Sequence, residues 1–171
     1  MVVVLVGYMG SGKSVLGKLL AHSLELPFID LDEYIESELQ ASISQVFTEK
    51  GEIFFRKKEQ EYLQKVLLDH DHLVLATGGG TPCYWGNMEF LLKQTSNVFY
   101  LQASVPELSR RLSIEKQHRP IISHISDESL PEYIGKHLFE RTPFYMRANH
   151  TIVCDGKSIE EVANEIKDHL V

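Results

Sequence analysis

Residues Gly7 to Ser14 read "GYMGSGKS", and Gly7, Gly12, Lys13 and Ser14 fill the fixed positions of G-x-x-x-x-G-K-[ST], with Gly10 as a further glycine. Glycines let successive backbone N–H groups point inward, and a following helix adds its positive end to that nest. The expected chemistry is polyphosphate binding, with Lys13 reaching the β- and γ-phosphates and Ser14 placed to ligate Mg²⁺. The alternative, a glycine-rich turn with no ligand, fits poorly, because the loop follows the apolar run Val2–Val6 and precedes a helical pattern.

Other residues could choose what receives the phosphate. "FIDLDEYIE" holds Asp30 and Asp32 two positions apart, which at the end of an extended segment puts both carboxylates on one side. One could hold a magnesium water shell while the other faces an acceptor hydroxyl; otherwise they are solvated acids opening a helix, with Asp32 as N-cap. In "EKGEIFFRKKE", Glu59 lies three residues after Arg56 and could orient its guanidinium, and Phe55 offers an apolar wall. An ordinary surface ion pair with a core Phe has the same spacing. "TGGG", Thr77 to Gly80, leaves a strand where open α/β sheets bind ligands, and three glycines suit close approach to backbone. Arg141 precedes Pro143 and could instead satisfy carbonyls near a proline-disturbed helix.

The elements that must position these groups follow from the apolar pattern. Short runs recur at Val2–Val6, Leu73–Ala76, Val98–Leu101 and Thr151–Val153, with a brief "PFID" at 27–30, each followed by a segment long enough for a helix. That alternation predicts an α/β fold with a parallel sheet covered on both faces. Leu16, Leu19, Leu20 and Leu24 have helical spacing, as do Ile159, Val162, Ala163, Ile166 and Leu170 behind a Ser158 cap. The stretch from about 31 to 70 must hold two or more helices between strands. Residues 113–131, "SIEKQHRPIISHISDESLP", show no period and have the composition of a binding element or lid.

The 171 residues suit one domain with a continuous core. Net charge is −7 and no stretch concentrates Lys and Arg, which argues against a nucleic-acid footprint. No apolar run approaches the roughly 18 residues of a membrane span, and Met1 runs straight into a strand-like segment with no charged leader; the expectation is a cytoplasmic protein with no membrane partner. Cys83 and Cys154 form no C-x-x-C pattern and read as free thiols. The eight histidines lack H-E-x-x-H spacing, which argues against a transition metal. A GTPase switch would carry N-K-x-D and D-x-x-G, and neither string occurs.

Taken in order, "GYMGSGKS", "DLD", "FFR", "TGGG", "HRP" and "ERTPFYMRA" resemble the shikimate kinase family over essentially the whole chain. The resemblance implies a three-layer α/β/α P-loop kinase fold with a five-stranded parallel sheet ordered 2-3-1-4-5, as one domain over 1–171. It implies a substrate-binding insertion at about 31–62 and a lid at about 113–131. The activity implied is transfer of the ATP γ-phosphoryl group to the 3-hydroxyl of shikimate, on the way to chorismate and the aromatic amino acids, with Mg²⁺ as cofactor and a monomeric chain.

By motif, Asp32 corresponds to the carboxylate on the reacting hydroxyl and Asp30 to the one serving the magnesium shell with Ser14. Lys13 and the lid residue Arg119 are implied on the phosphates. Gly10, Ser11, Gly12, Lys13, Ser14 and Val15 are implied in the ATP loop, with Arg111 near adenine and Lys157 also on ATP. Arg56 and Arg141 match the two arginines that grip the acceptor carboxylate, Gly78, Gly79 and Gly80 line its pocket, and Phe47 and Phe55 look like its apolar walls. Two departures stand out: Val15 replaces a Thr common after the loop serine, and the lid has His118 and His124 where more arginine is usual. The nearest alternatives are kinases for gluconate or a nucleoside monophosphate. The latter should carry "DG-aromatic-PR", where this chain has "TGGGTPCYW".

Overall fold

The five consecutive apolar residues Val2–Val6 form β1, and burial of four of them explains why no polar residue interrupts the run. A strand covered on both faces needs apolar side chains at every position. In the computed structural model, which describes residues 1–171, β1 is the central strand. β2 (Phe28–Asp30), β3 (Leu73–Ala76), β4 (Val98–Gln102) and β5 (His150–Val153) complete a sheet ordered β2-β3-β1-β4-β5, as the resemblance implied. Every pairing is parallel; Val3 stands opposite Val74 and Leu5 opposite Phe99.

Alternation along β1 divides the interior. Val3 and Leu5 point into a core shared with α1 (Lys13–Leu24) and α8 (Ile159–Asp168), through Leu16, Leu20, Val162 and Ile166. Val4 and Val6 point into a larger core on the opposite face. That core is closed by α2 (Leu31–Leu39), α3 (Ile43–Lys50), α4 (Glu52–Asp69), α5 (Asn87–Gln94), α6 (Val105–Glu115) and α7 (Leu130–Tyr145). The 31–70 stretch thus holds three helices. No helix is long and apolar enough to cross a membrane.

Helix starts follow the sequence. Ser42 and Ser158 form capping boxes with Gln45 and Glu161, and Ser104 caps α6 through the Glu107 amide. One start differs from the expectation: Asp30, not Asp32, is the N-cap of α2, accepting from the Glu33 amide. β2 is only three residues long, so the chain is already helical at Leu31 and the two acids do not share one side of a strand. A cap carboxylate and a first-turn carboxylate still reach the same place. The helix α7 also continues through Pro143 to Tyr145; the carbonyl that Pro143 cannot serve belongs to the exposed Phe139.

Residues 113–131 have internal structure despite their lack of period. A single 3₁₀ turn at Lys116–His118 leads into hydrogen-bonded turns. Ile122 is fully buried, and Lys116 Nζ donates to Ile125 O and Asp127 Oδ1. Both cysteines are free.

Candidate active site

All the residues singled out for chemistry lie along the carboxyl ends of the strands and on the helices and turns that follow them, as expected for an open parallel sheet. Three adjoining cavities run along this edge. One of about 290 Å³ is walled by Gly10, Ser11, Gly12, Val15, Arg111 and Lys157. The next, about 190 Å³, shares Gly10, Gly12 and Val15 with it and adds Lys13, Ser14, Asp30, Asp32 and Arg119. The third, about 170 Å³, shares Asp32, Gly79 and Arg119 with the second and is closed by Phe47, Phe55, Arg56, Gly78, Gly80 and Arg141.

The middle cavity has the features of an anion site. Gly12 precedes α1 at φ +95°, a left-handed conformation that favours glycine, and offers no side-chain cap. The amides of Lys13, Ser14 and Val15 therefore meet no protein acceptor and leave the positive end of α1 open. Lys13 is 8% exposed, and its Nζ donates to Gly7 O at 2.6 Å and Tyr8 O at 2.9 Å. Burial lowers its pKa to about 8, helped by Arg119 and Arg141 and opposed by Asp32 and Asp30.

Ser14 Oγ donates to Asp30 Oδ2. A serine hydroxyl beside a carboxylate, with Asp32 on the same cavity, is an all-oxygen donor set of the kind a hard cation takes. No cluster of three His, Cys, Asp or Glu forms a protein cage. That fits Mg²⁺, which keeps waters and phosphate oxygens and needs only one or two protein ligands.

Asp32 lines both the second and the third cavity. Burial raises its pKa to about 7, with repulsion from Asp30 and Glu59 adding and Lys13 opposing. A carboxylate tuned near neutrality is matched to accepting a proton at working pH.

The far cavity is arranged around two guanidinium groups. Arg56 is 8% exposed; its Nη1 donates to Glu59 Oε1 at 2.9 Å, and it lies 4.0 Å from the Tyr84 ring centroid and 5.2 Å from that of Phe55. Glu59, 1% exposed, also accepts from Thr81 Oγ1 at 2.8 Å, so the acid that orients Arg56 is itself held. This is no surface pair. Arg141, one face of α7, has no carboxylate partner within ion-pair distance. Phe47 and Phe55 pack with centroids 4.7 Å apart and give the apolar wall.

The glycine run serves this geometry by what it lacks. A Cβ on Gly78 would lie 2.7 Å from Asp32 Oδ1, one on Gly79 3.1 Å from an Arg141 nitrogen, and one on Gly80 2.7 Å from both Arg56 terminal nitrogens. The close approach foreseen for a ligand is made first by three functional side chains. Tyr145 fixes the run, donating from its hydroxyl to Gly79 O at 2.5 Å.

Arg119 borders both the phosphate and acceptor cavities; in this state its Nη2 bonds Glu115 at 3.0 Å. Arg111 donates to Glu107 and to Gly10 O at 3.2 Å, which ties it to the phosphate loop at the wall of the first cavity. Lys157 stands on that wall too, paired with Glu165. Tyr8, Met9, Thr81, His137 and Tyr145 also line or hold the site, and sequence reading did not single them out. Tyr8 and Met9 occupy variable positions of the loop motif, and the others act through contacts distant in sequence.

A family model for shikimate kinase matches residues 9–171. Among curated relatives, the shikimate kinase of Flavobacterium psychrophilum is 43% identical over 164 residues, covering 96% of this chain and 95% of the relative. Among solved structures, shikimate kinase from Bacteroides thetaiotaomicron superposes with a TM-score of 0.92 at 38% identity, covering 98% of this chain and 97% of that one. The Acinetobacter baumannii enzyme in complex with shikimate gives 0.87 at 33% identity, covering 98% and 90%. With a family model matched over residues 9–171 and a 43% identical relative covered almost end to end, the chain belongs to the shikimate kinase family.

Proposed function

We propose that this chain transfers the γ-phosphoryl group of ATP to the 3-hydroxyl of shikimate, giving shikimate 3-phosphate for chorismate and aromatic amino acid synthesis. The observation that carries the reading is Arg141, a cation without a carboxylate partner, beside Arg56 in a cavity that opens onto Asp32 and the phosphate loop. Glu59 balances one guanidinium and leaves the other for an anionic acceptor. A ring bearing one carboxylate and several hydroxyls fits between the arginines, the Phe47 and Phe55 wall, and Asp32.

In this mechanism ATP enters with its base in the first cavity and its phosphates on the open amides of α1. Lys13 exchanges its loop carbonyls for phosphate oxygens. Ser14 and, partly through water, Asp30 would hold Mg²⁺, which would supply charge neutralisation for the phosphates. Asp32 orients the acceptor hydroxyl and takes its proton late, as the hydroxyl oxygen bonds the γ-phosphorus and the bond to the bridging oxygen of ADP breaks. Arg119 leaves Glu115 for the γ-phosphoryl oxygens, with 113–131 acting as the lid and 31–62 as the acceptor wall. Positioning and charge account for the catalysis, because a loose transition state leaves little covalent work to the protein. Every group invoked comes from one chain, which supports a single-domain monomer, and the use of ATP is in keeping with a cytoplasmic reaction.

The test is an ADP-release assay with Mg-ATP that compares shikimate, gluconate and AMP, with Lys13→Ala as blank. Turnover with shikimate alone is expected. Turnover only with another acceptor would overturn the assignment.

A further inference from the structure

His137 lies on α7 one turn before Arg141, so both side chains leave the same face of the helix, and both line the acceptor cavity. Its Nδ1 is 2.9 Å from the hydroxyl of Tyr8, a residue of the phosphate loop that is 1% exposed. The imidazole is clamped between two rings: Tyr8 meets it edge-on with centroids 5.3 Å apart, and Tyr133 at 5.6 Å. No protein group bonds Nε2, the other ring nitrogen.

We infer that His137 is a specificity residue for the acceptor: fixed by Tyr8, it presents Nε2 as an uncharged hydrogen-bond donor to the acceptor's carboxylate end, beside Arg56 and Arg141. The inference rests on the acceptor reading given above. Nδ1 is the one hydrogen-bond partner of the Tyr8 hydroxyl, so the tautomer that satisfies the hydroxyl proton has Nδ1 accepting, which puts the ring proton on Nε2, pointing away from Tyr8. Burial, aided by the Arg141 and Arg56 guanidinium groups, lowers the His137 pKa to about 4, so the ring is neutral at working pH. A neutral donor adds a contact to the anion without repelling the two cations that bind it. A merely structural tie between α7 and the loop would need only Nδ1, which gives the test its design.

The experiment is steady-state kinetics of the full chain with shikimate and Mg-ATP for the parent, His137→Asn, His137→Gln and Tyr8→Phe, with the unfolding temperature of each. Asn places its amide near the Nδ1 position and keeps a partner for Tyr8; Gln reaches about as far as Nε2. Loss of one hydrogen bond from a neutral donor to a carboxylate predicts a rise of roughly 10–100-fold in the acceptor KM of His137→Asn, with the ATP KM within about twofold. Gln should recover a large part of that loss, and Tyr8→Phe, which frees the ring, should raise the acceptor KM by about two- to threefold. An acceptor KM unchanged in His137→Asn, or equal losses in Asn and Gln that track their unfolding temperatures, overturns the inference and leaves the acceptor reading standing. Absence of shikimate turnover by the parent overturns both. Should Asn fail to fold, Gln and Tyr8→Phe decide the matter: ATP and acceptor KM rising in parallel refutes a role in acceptor recognition.

Discussion

Gly80→Ala isolates the part that space plays in acceptor recognition. Gly80 has φ −87° and ψ −14°, a conformation alanine adopts freely, so the substitution introduces no backbone strain. Its methyl would stand 2.7 Å from both terminal nitrogens of Arg56 and 2.9 Å from Cζ. Ordinary contact begins near 3.4 Å, so the guanidinium must retreat by about 0.7 Å. A long side chain usually yields at little cost, but this one is held by Glu59 at 2.9 Å on one edge and stacked 4.0 Å above Tyr84. The retreat therefore sacrifices alignment either with Glu59 or with the incoming carboxylate. A charge-assisted hydrogen bond contributes roughly 1.5–3 kcal/mol, so loss of one predicts an acceptor KM raised about 10- to 150-fold. The ATP KM should stay within about twofold, because the substitution lies outside the two nucleotide cavities. The assay is coupled ADP release with each substrate varied in turn, beside a thermal melt. An acceptor KM within about threefold of the parent, in a variant that folds normally, would refute the argument that Arg56 is immobile.

Asp32→Asn should lower kcat by roughly 10²–10⁴-fold with smaller changes in either KM, since it removes the proton acceptor. In the parent, kcat/KM for the acceptor should fall as pH drops below about 7, where Asp32 protonates, and the variant should lack that limb. Because burial raises this carboxyl above its unfolded value, its ionisation opposes folding above pH 7 and ceases to do so as pH falls toward 4. Asp32→Asn should accordingly melt at higher temperature than the parent at pH 8, with the gap closing in acid. Glu59→Gln keeps the shape but leaves the buried Arg56 with only the more exposed Glu52, 3.7 Å away, as counter-ion, and urea titration should show a loss of up to about 3–5 kcal/mol.

The parts of this molecule that are legible in its sequence are those written locally. The phosphate loop is a contiguous string, and β1 announces its two-sided burial by five apolar residues in a row. The helices α1 and α8 show their buried faces as spaced leucine, valine and isoleucine. Arg56 and Glu59 were readable as a pair three residues apart, but their burial, which turns a surface ion pair into an acceptor clamp, depends on Thr81 and Tyr84. The sheet order and the acceptor came from the resemblance across six motifs, not from periodicity. Asp30 and Asp32 were expected on one side of a strand; the strand ends at Asp30, and the helix that replaces it reaches the same cavity by another geometry. Contacts such as Tyr8 with His137, 129 positions apart, or Tyr145 with Gly79, 66 apart, have no local signature at all. Only the folded sheet brings them together.

The division of the interior by the sheet carries a consequence for how such a protein can change. The base cavity is walled mainly by α1, the β5–α8 turn and α8, with α6 the one contribution from the other layer. The cavity proposed for the acceptor draws mainly on α2, α3, α4 and α7 and the turn after β3, with Met9 of the phosphate loop and Arg119 and Ile121 of the 113–131 segment, and its four helices pack on the opposite core. Substitutions that reshape the acceptor pocket therefore propagate strain into the layer that holds no part of the adenine site except through α6. A lineage, or an engineer, could exchange one small hydroxy acid for another while the nucleotide half stays as it is. Conversely, a small molecule seated between α1 and α8 would meet a surface that the choice of acceptor leaves free to drift.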